Sequence, residues 1–403
     1  MNNKTGETCY DWRQVLSLET GVVIVSLQKM TSTSFTLVPP ALSFRLVCYY
    51  NRKAAARLSI GRFTPANVAP NLCTHLIFSY ATVDDKNNNI RRLVPVDESD
   101  IDLYGELNRL KNSNPDLKTL LAVGDPEGSD SQTFTKMVAS KTTREKFIDS
   151  AVTMINTYGF DGLNLDWRYP TGNANRGKFT SLCQELRAAL NRSLLLTASV
   201  SGVKDVIDDS YDNINIKLFY SELDFINVLT FGFHDSSEPV TAHHSPLDPP
   251  STDPEDPLTT TLGGAALPAD KLNMGIAAYG VAFRLFNSSE GGVGAATSST
   301  PPEDGCYTEE PGVWSYYEVQ PSLVRTFLDD QGVPYVVTEG HWVGYDDPQS
   351  LNLKVQFLYV ERIKNETYGG AVVWALDLDD YTGQFCEDGT NPFISYLKSI
   401  LFM

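Results

Sequence analysis

Histidine is scarce in this chain, with five among 403 residues, and neither H-E-x-x-H nor C-x-x-C occurs. A zinc site therefore lacks its usual ligand spacing, and no metal or other cofactor is expected. Positive charge is also short: 32 Lys plus Arg stand against 50 Asp plus Glu, a formal charge of -18. Nucleic acid and anionic membrane surfaces are poor partners for such a chain. No apolar run approaches the roughly 18 residues that span a bilayer. Residues 21–27 (GVVIVSL) are apolar but few, follow Glu19, and lead to no small-residue cleavage site. They do not read as a secretory signal.

What is present is a large apolar fraction, 42%, arranged in a rhythm. Short apolar runs at 44–50, 75–81, 119–123, 162–166, 194–200, 225–231, 272–277 and 370–375 read as strands. The segments between them carry helical periodicity. Thr142 and Glu145 suggest a capping box, followed by Phe147, Ile148, Ala151, Val152 and Ile155 on one face, with Gly159 as the stop. Phe179, Leu182, Cys183, Leu186 and Leu190 mark the next helix. Eight strands separated by helices predict an α/β fold, a closed (β/α)₈ TIM barrel. Two stretches break the pattern. Residues 283–345 turn aromatic and Gly-rich, and read as a small α+β insertion between strand seven and its helix. Residues 246–268 are too rich in proline for a full helix. The expected organisation is an N-terminal segment at 1–43, a barrel at 44–282 and 346–403, and the insertion between.

The stretch 160–170, FDGLNLDWRYP, resembles the D-G-x-D-x-D-W-E-Y-P signature of glycoside hydrolase family 18, the chitinases and chitinase-like lectins. CYY at 48–50, LCTHLIFSYA at 72–81, KTLLAVG at 118–124, LDFINVLTFGFH at 223–234, WVGYDD at 342–347 and GGAVVWALDLDDYTG at 369–383 match further family motifs in order. The resemblance runs from about residue 45 to 401. Family chitinases cleave β-1,4-linked N-acetylglucosamine by a substrate-assisted route, an exception to the two-carboxylate scheme. A glutamic acid protonates the leaving oxygen, and an aspartate two residues earlier orients the sugar's acetamide. The resemblance places the orienting aspartate at Asp166 and the acid at Arg168. Asp161 is retained, and the second motif aspartate is Asn164. Arginine stays protonated and cannot cycle as acid and base. Where family enzymes read M-T-Y-D, this chain has Leu229, Thr230, Phe231 and Gly232, losing a hydroxyl and a carboxylate near the acetamide. Asp125, Glu127 and Asp235 fall on loops at the barrel mouth, but none matches the lost acid. Asn164, Asp166 and Arg168 share one strand face, so Arg168 is expected to pair with Asp166.

The resemblance also implies a sugar cleft. Trp374 matches the floor of its central subsite, and Tyr49, Asp166, Tyr279 and Trp342 are the other carbohydrate-binding candidates. Several family aromatics are absent: Gly124, Asp125 and Pro126 replace G-G-W, and NRKAAAR at 51–57 replaces a tryptophan-bearing loop. Tyr279, Gly280, Val281, Ala282 and Phe283 replace Y-G-R-x-F. The family pattern pairs Cys48 with Cys73 and offers Cys386 half of a second bridge, with Cys306 as its candidate partner. Sequons at Asn3, Asn191, Asn287 and Asn365 are glycosylation candidates, and with the disulfide they place the chain outside the cell. Asp377, Asp379 and Asp380 read as structural, and His243 and His244 as part of a solvated turn. The expected protein is a monomeric, secreted, inactive chitinase-like protein that binds chitooligosaccharides weakly or acts through interactions. The alternatives are a chitinase with displaced catalytic residues and a folded paralogue without a carbohydrate ligand.

Overall fold

The computed structural model describes residues 44–84, 91–124, 131–211, 221–251, 268–319, 324–363, 368–386 and 388–403. In chain order the first eight strands are β1 (Arg45–Asn51), β2 (His75–Val83), β3 (Leu93–Pro95), β4 (Lys118–Gly124), β5 (Gly162–Asp166), β6 (Leu195–Ser201), β7 (Phe225–Leu229) and β8 (Leu272–Ala277). Then come β9 (Tyr279–Arg284), β10 (Val313–Ser315), β11 (Thr326–Leu328), β12 (Val333–Thr338), β13 (His341–Gly344) and β14 (Gly370–Trp374). Strands β1, β2, β4, β5, β6, β7, β8 and β14 form a parallel ring, closed because β1 pairs with both β2 and β14. β3 adds antiparallel to β2. The helices are α1 (Asp100–Arg109), α2 (Ser131–Val138), α3 (Lys141–Tyr158), α4 (Asn173–Ala189), α5 (Lys204–Ser210), α6 (Pro348–Ile363) and α7 (Pro392–Leu401).

Strand β5 shows why this sequence takes this form. Its residues alternate between two surroundings. Leu163, Leu165 and Trp167 are buried, and Trp167 stacks on Phe134 of α2 at 5.4 Å and meets Phe179 of α4 edge-on at 5.8 Å. Asn164 and Asp166 point the other way, into the ring. At the mouth β4 and β5 approach so closely that a Cβ on Gly124 would stand 2.2 Å from the Asp166 carbonyl oxygen. Helix α3 starts two residues earlier than Thr142 suggests. Ser140 is its cap, accepting from Thr143 N at 3.2 Å, and Thr143 reciprocates. Gly159 ends the helix in the left-handed conformation, φ 75°, as its position predicts.

The floor of the barrel is tied covalently and by charge. Cys48 and Cys73 form a disulfide between β1 and the entry to β2. Asp161 accepts from Lys111 Nζ and Thr119 N, both at 2.8 Å, at the start of β5. It is a structural carboxylate remote from the mouth. The suggested Cys306–Cys386 bridge is not formed: Cys386 is disulfide-bonded, whereas Cys306 is free and exposed.

The second sheet runs β10-β9-β13-β12-β11, antiparallel throughout. It already includes Tyr279, so the insertion begins before residue 283, and Ala278 alone separates β8 from β9. The junction is bonded on both sides: Ala278 N donates to Trp374 O at 2.8 Å, and Tyr316 N donates to Ala278 O at 3.1 Å. Below the sheet, Lys354 Nζ of α6 donates to both Asp346 oxygens at 2.6 and 2.7 Å. His243 and His244 are buried in this seam, not solvated. His243 Nε2 donates to the carbonyls of Pro334 and Tyr345, and its Nδ1 accepts from Ser245 N. Most of 246–268 lies outside the described residues.

Candidate functional site

The mouth of the ring and the second sheet enclose a cleft of about 480 Å³. Its centre is built from the inner faces of β1, β2, β5 and β6. Deepest lies an uncharged network. Asn164 accepts from Thr197 Oγ1 at 2.7 Å and donates to Ser199 Oγ at 3.0 Å, while Tyr49 Oη and Ser199 Oγ bond at 2.5 Å. An aspartate at 164 would need a compensating positive charge here; the amide satisfies both hydroxyls without one.

Directly above, the pairing expected from the two-residue spacing is present. Arg168 Nε donates to Asp166 Oδ1 at 2.8 Å, and Arg168 Nη2 donates to Oδ2 at 3.1 Å. The Tyr80 hydroxyl donates to the same Oδ2 at 2.8 Å. Both oxygens of Asp166 are thus engaged by the protein itself. Burial alone would lower the Arg168 pKa, but Asp166 and Tyr80 outweigh it and hold the guanidinium well above its ordinary value. Burial and then Asp166 push the Tyr80 hydroxyl well up, so it remains a donor. At the position of Arg168 the site offers a fixed cation and no transferable proton.

The remaining candidates separate into those at the cleft and those behind it. Trp374, Tyr279 and Phe231 line it. Trp374 stacks on Tyr80 with centroids 6.0 Å apart and tilts against Tyr49 at 4.9 Å, and Phe231 meets Tyr279 edge-on at 6.3 Å. Gly232 follows in a left-handed turn, φ 71°, where a Cβ would come 3.9 Å from Tyr279 Oη. Tyr49 is fully buried beneath Trp374 and supports the floor without reaching the cleft. Trp342 is also fully buried. It is core of the second sheet, stacked on Tyr335 at 5.0 Å and packed on Phe283, and it does not line the cleft.

Asp377, Asp379 and Asp380 each have a packing task. Asp377 takes Arg57 Nη1 at 2.7 Å. Asp379, pushed up to about 7 by burial, accepts from Phe393 N and Ile394 N at the start of α7. Asp380 accepts from Phe385 N and Cys386 N. Among the described residues no group of three or more His, Cys, Asp or Glu could hold a metal ion, and no helix is long and apolar enough to cross a membrane. Asn191 and Asn287 are exposed, while Asn3 and Asn365, with Asp125 and Glu127, lie outside the described residues. Asp235 is exposed in a turn, bonded to Ser237 N.

Sequence reasoning passed over Tyr80, Ser199 and Arg57. The first sits at the C-terminal end of a barrel strand, where chemistry gathers. The second belongs to the period-two polar series Thr197, Ser199, Ser201, which marks an inward face. Arg57 finds Asp377 across 320 positions, and no local signal announces that pair.

Residues 45–379 match Glycosyl hydrolases family 18. Mouse (Mus musculus) chitotriosidase-1 is 39% identical over 376 residues, covering 89% of this chain and 78% of that protein. Among solved structures, the immunomodulatory active chitinase TsES1 of Trichuris suis superposes with a TM-score of 0.81 at 31% identity, covering 89% of this chain and all of that one. Human YKL-39, described as a pseudo-chitinase with retained chitooligosaccharide binding properties, gives 0.79 at 38% identity, covering 89% of this chain and 100% of that one.

Proposed function

The chain belongs to glycosyl hydrolase family 18, and within that family we propose that it is a secreted chitinase-like protein without turnover, whose cleft binds chitooligosaccharides weakly. One observation carries the reading: the residue two positions after Asp166 is a guanidinium chelated by that same carboxylate. Substrate-assisted hydrolysis needs a proton donor there and a free carboxylate beside it, and this arrangement supplies neither. A positioned general acid is worth on the order of 10² to 10⁴ in rate. Phe231 and Gly232 deepen the loss, since neither can hydrogen-bond an acetamide through its side chain.

Residual sugar binding rests on the half-buried Trp374 at the cleft and on the binding reported for YKL-39. Aromatic faces stack on pyranose rings without requiring the catalytic groups. Secretion is supported by the Cys48–Cys73 bridge and by exposed sequons at Asn191 and Asn287. The test is calorimetric titration with N-acetylglucosamine hexamer, followed by product analysis after long incubation. Heat of binding with intact hexamer is expected. Shortened oligomers would overturn the reading, and a silent titration would remove its binding half.

A further inference from the structure

Beyond the end of β9 the chain carries an apolar row that faces solvent and takes no part in the cleft. Leu285 is bridged antiparallel to Thr297, which sets Phe286 opposite Ala296, and Phe286 N donates to Ala296 O at 2.9 Å. Val240 is bridged to the same Ala296 from the other side. Residues directly opposite one another on antiparallel segments share a face, so Val240, Ala296 and Phe286 stand in line across three segments. Leu285 points inward and is buried, whereas Phe286 is 78% and Val240 42% exposed, and Ala296 is exposed between them. Single apolar side chains at a surface need no account, but a contiguous row does.

The next residue supplies an occupant. Asn287 is exposed and opens the sequon Asn287-Ser288-Ser289. Its Oδ1 accepts from Ser289 N at 3.2 Å and from Ser289 Oγ at 2.7 Å, and its Nδ2 donates to Glu290 Oε1 at 3.0 Å. These bonds span three residues, so they are available to the chain before it folds. One Nδ2 hydrogen suffices for Glu290, which leaves the other replaceable. Asn191 is the contrast. It too is exposed and accepts from Ser193 N at 3.0 Å, but the preceding Leu190 is buried and the following Arg192 is charged, so no apolar face adjoins it.

We propose that Asn287 is N-glycosylated and that the first N-acetylglucosamine of its glycan lies over Phe286, shielding the row. The proposal rests on the secretory reading given above, since the donor, an oligosaccharide on a polyprenyl pyrophosphate, belongs to that route. The Asn287 nitrogen bonds to the anomeric carbon and gives up a proton, the bond from that carbon to pyrophosphate oxygen breaks, and the lipid pyrophosphate leaves; nothing is oxidised or reduced. Pyranose rings stack on aromatic faces through their apolar side. A covalently held sugar also acts at an effective concentration on the order of millimolar. A second copy of the chain has no such advantage, and its net charge of -18 opposes self-association.

The test uses protein secreted from cultured insect cells. Peptide mass spectrometry after enzymatic glycan release in heavy-oxygen water should mark Asn287. Hydroxyl-radical footprinting then reads the ring: Phe286 should be oxidised at least about threefold faster in Asn287→Gln and in Ser289→Ala than in the glycoprotein. Asn191→Gln should leave its oxidation unchanged, and trimming the glycan to its first sugar should preserve the protection. All three substituted residues lie outside the packed core, so the comparison does not depend on refilling it. Modification of Asn191 alone would overturn the proposal while secretion stands, and modification of neither would remove the sequons' support for both. A glycan at Asn287 with Phe286 oxidised equally fast in its absence would overturn the shielding. Protection that persists in Asn287→Gln and grows with protein concentration would make a second copy the occupant, which overturns it as well.

Discussion

The two faces of strand β5, continued by Trp167 and Arg168, are put to different uses. Outward, Leu163, Leu165 and the following Trp167 are fully packed against α2 and α4, as the barrel requires. Inward, Asn164, Asp166 and Arg168 trade the groups of a hydrolase for a self-satisfied polar stack. The lesson is that a (β/α)₈ barrel separates stability from chemistry at intervals of one residue. A change on the inner face can abolish a reaction and leave the ring intact, provided its polar groups find partners.

That separation can be broken most severely from the outside. Trp167→Ala should lower stability by about 3 to 5 kcal/mol through the cavity between Phe134 and Phe179, while hexamer affinity in the remaining folded protein stays within twofold. Urea unfolding beside calorimetry checks both, and a large affinity loss would show that the faces are coupled.

Acid attacks the packed seam behind the cleft. Burial holds His243 neutral down to about pH 4. An unfolded histidine takes its proton near 6.5, so between those values the unfolded chain binds more protons than the folded one. Stability must therefore fall as pH falls through that window, by on the order of 3 kcal/mol for this residue at pH 4. Unfolding curves from pH 7 to 4.5 should show a shallower decline in His243→Asn. An identical decline would remove His243 from the account.

On the inner face, Arg168→Gln leaves the buried Asp166 with Tyr80 as its donor, and a loss of about 1 to 3 kcal/mol is expected, less than for Trp167. Arg168→Glu should yield no shortened oligomers, because Phe231 and Gly232 remain; turnover in that single variant would confine the loss of chemistry to one residue. Smallest is Trp374→Ala, expected to weaken hexamer binding about tenfold, or about 1.4 kcal/mol, with little change in melting temperature. Unchanged binding would make Trp374 a packing residue only.

Much of this was readable before the structure. The strands announce themselves because each is a short apolar run, and the Asp166–Arg168 pair follows from the two-residue period. What was hidden depends on contacts between distant segments. Trp342 looks like a sugar platform until Tyr335 and Phe283 are seen packed around it. His243 and His244 sit among prolines and aspartates that suggest solvent, yet both are buried and His243 finds its partners at Pro334 and Tyr345.

The single residue between β8 and β9 has a kinetic consequence. Ala278 is bonded to Trp374 and Tyr316, which ties the wall carrying Tyr279 to the barrel at this junction. Ligand capture should then be a one-step encounter, its observed rate rising linearly with ligand concentration without the plateau of a gated site. Selectivity among ligands would lie in how long each one stays.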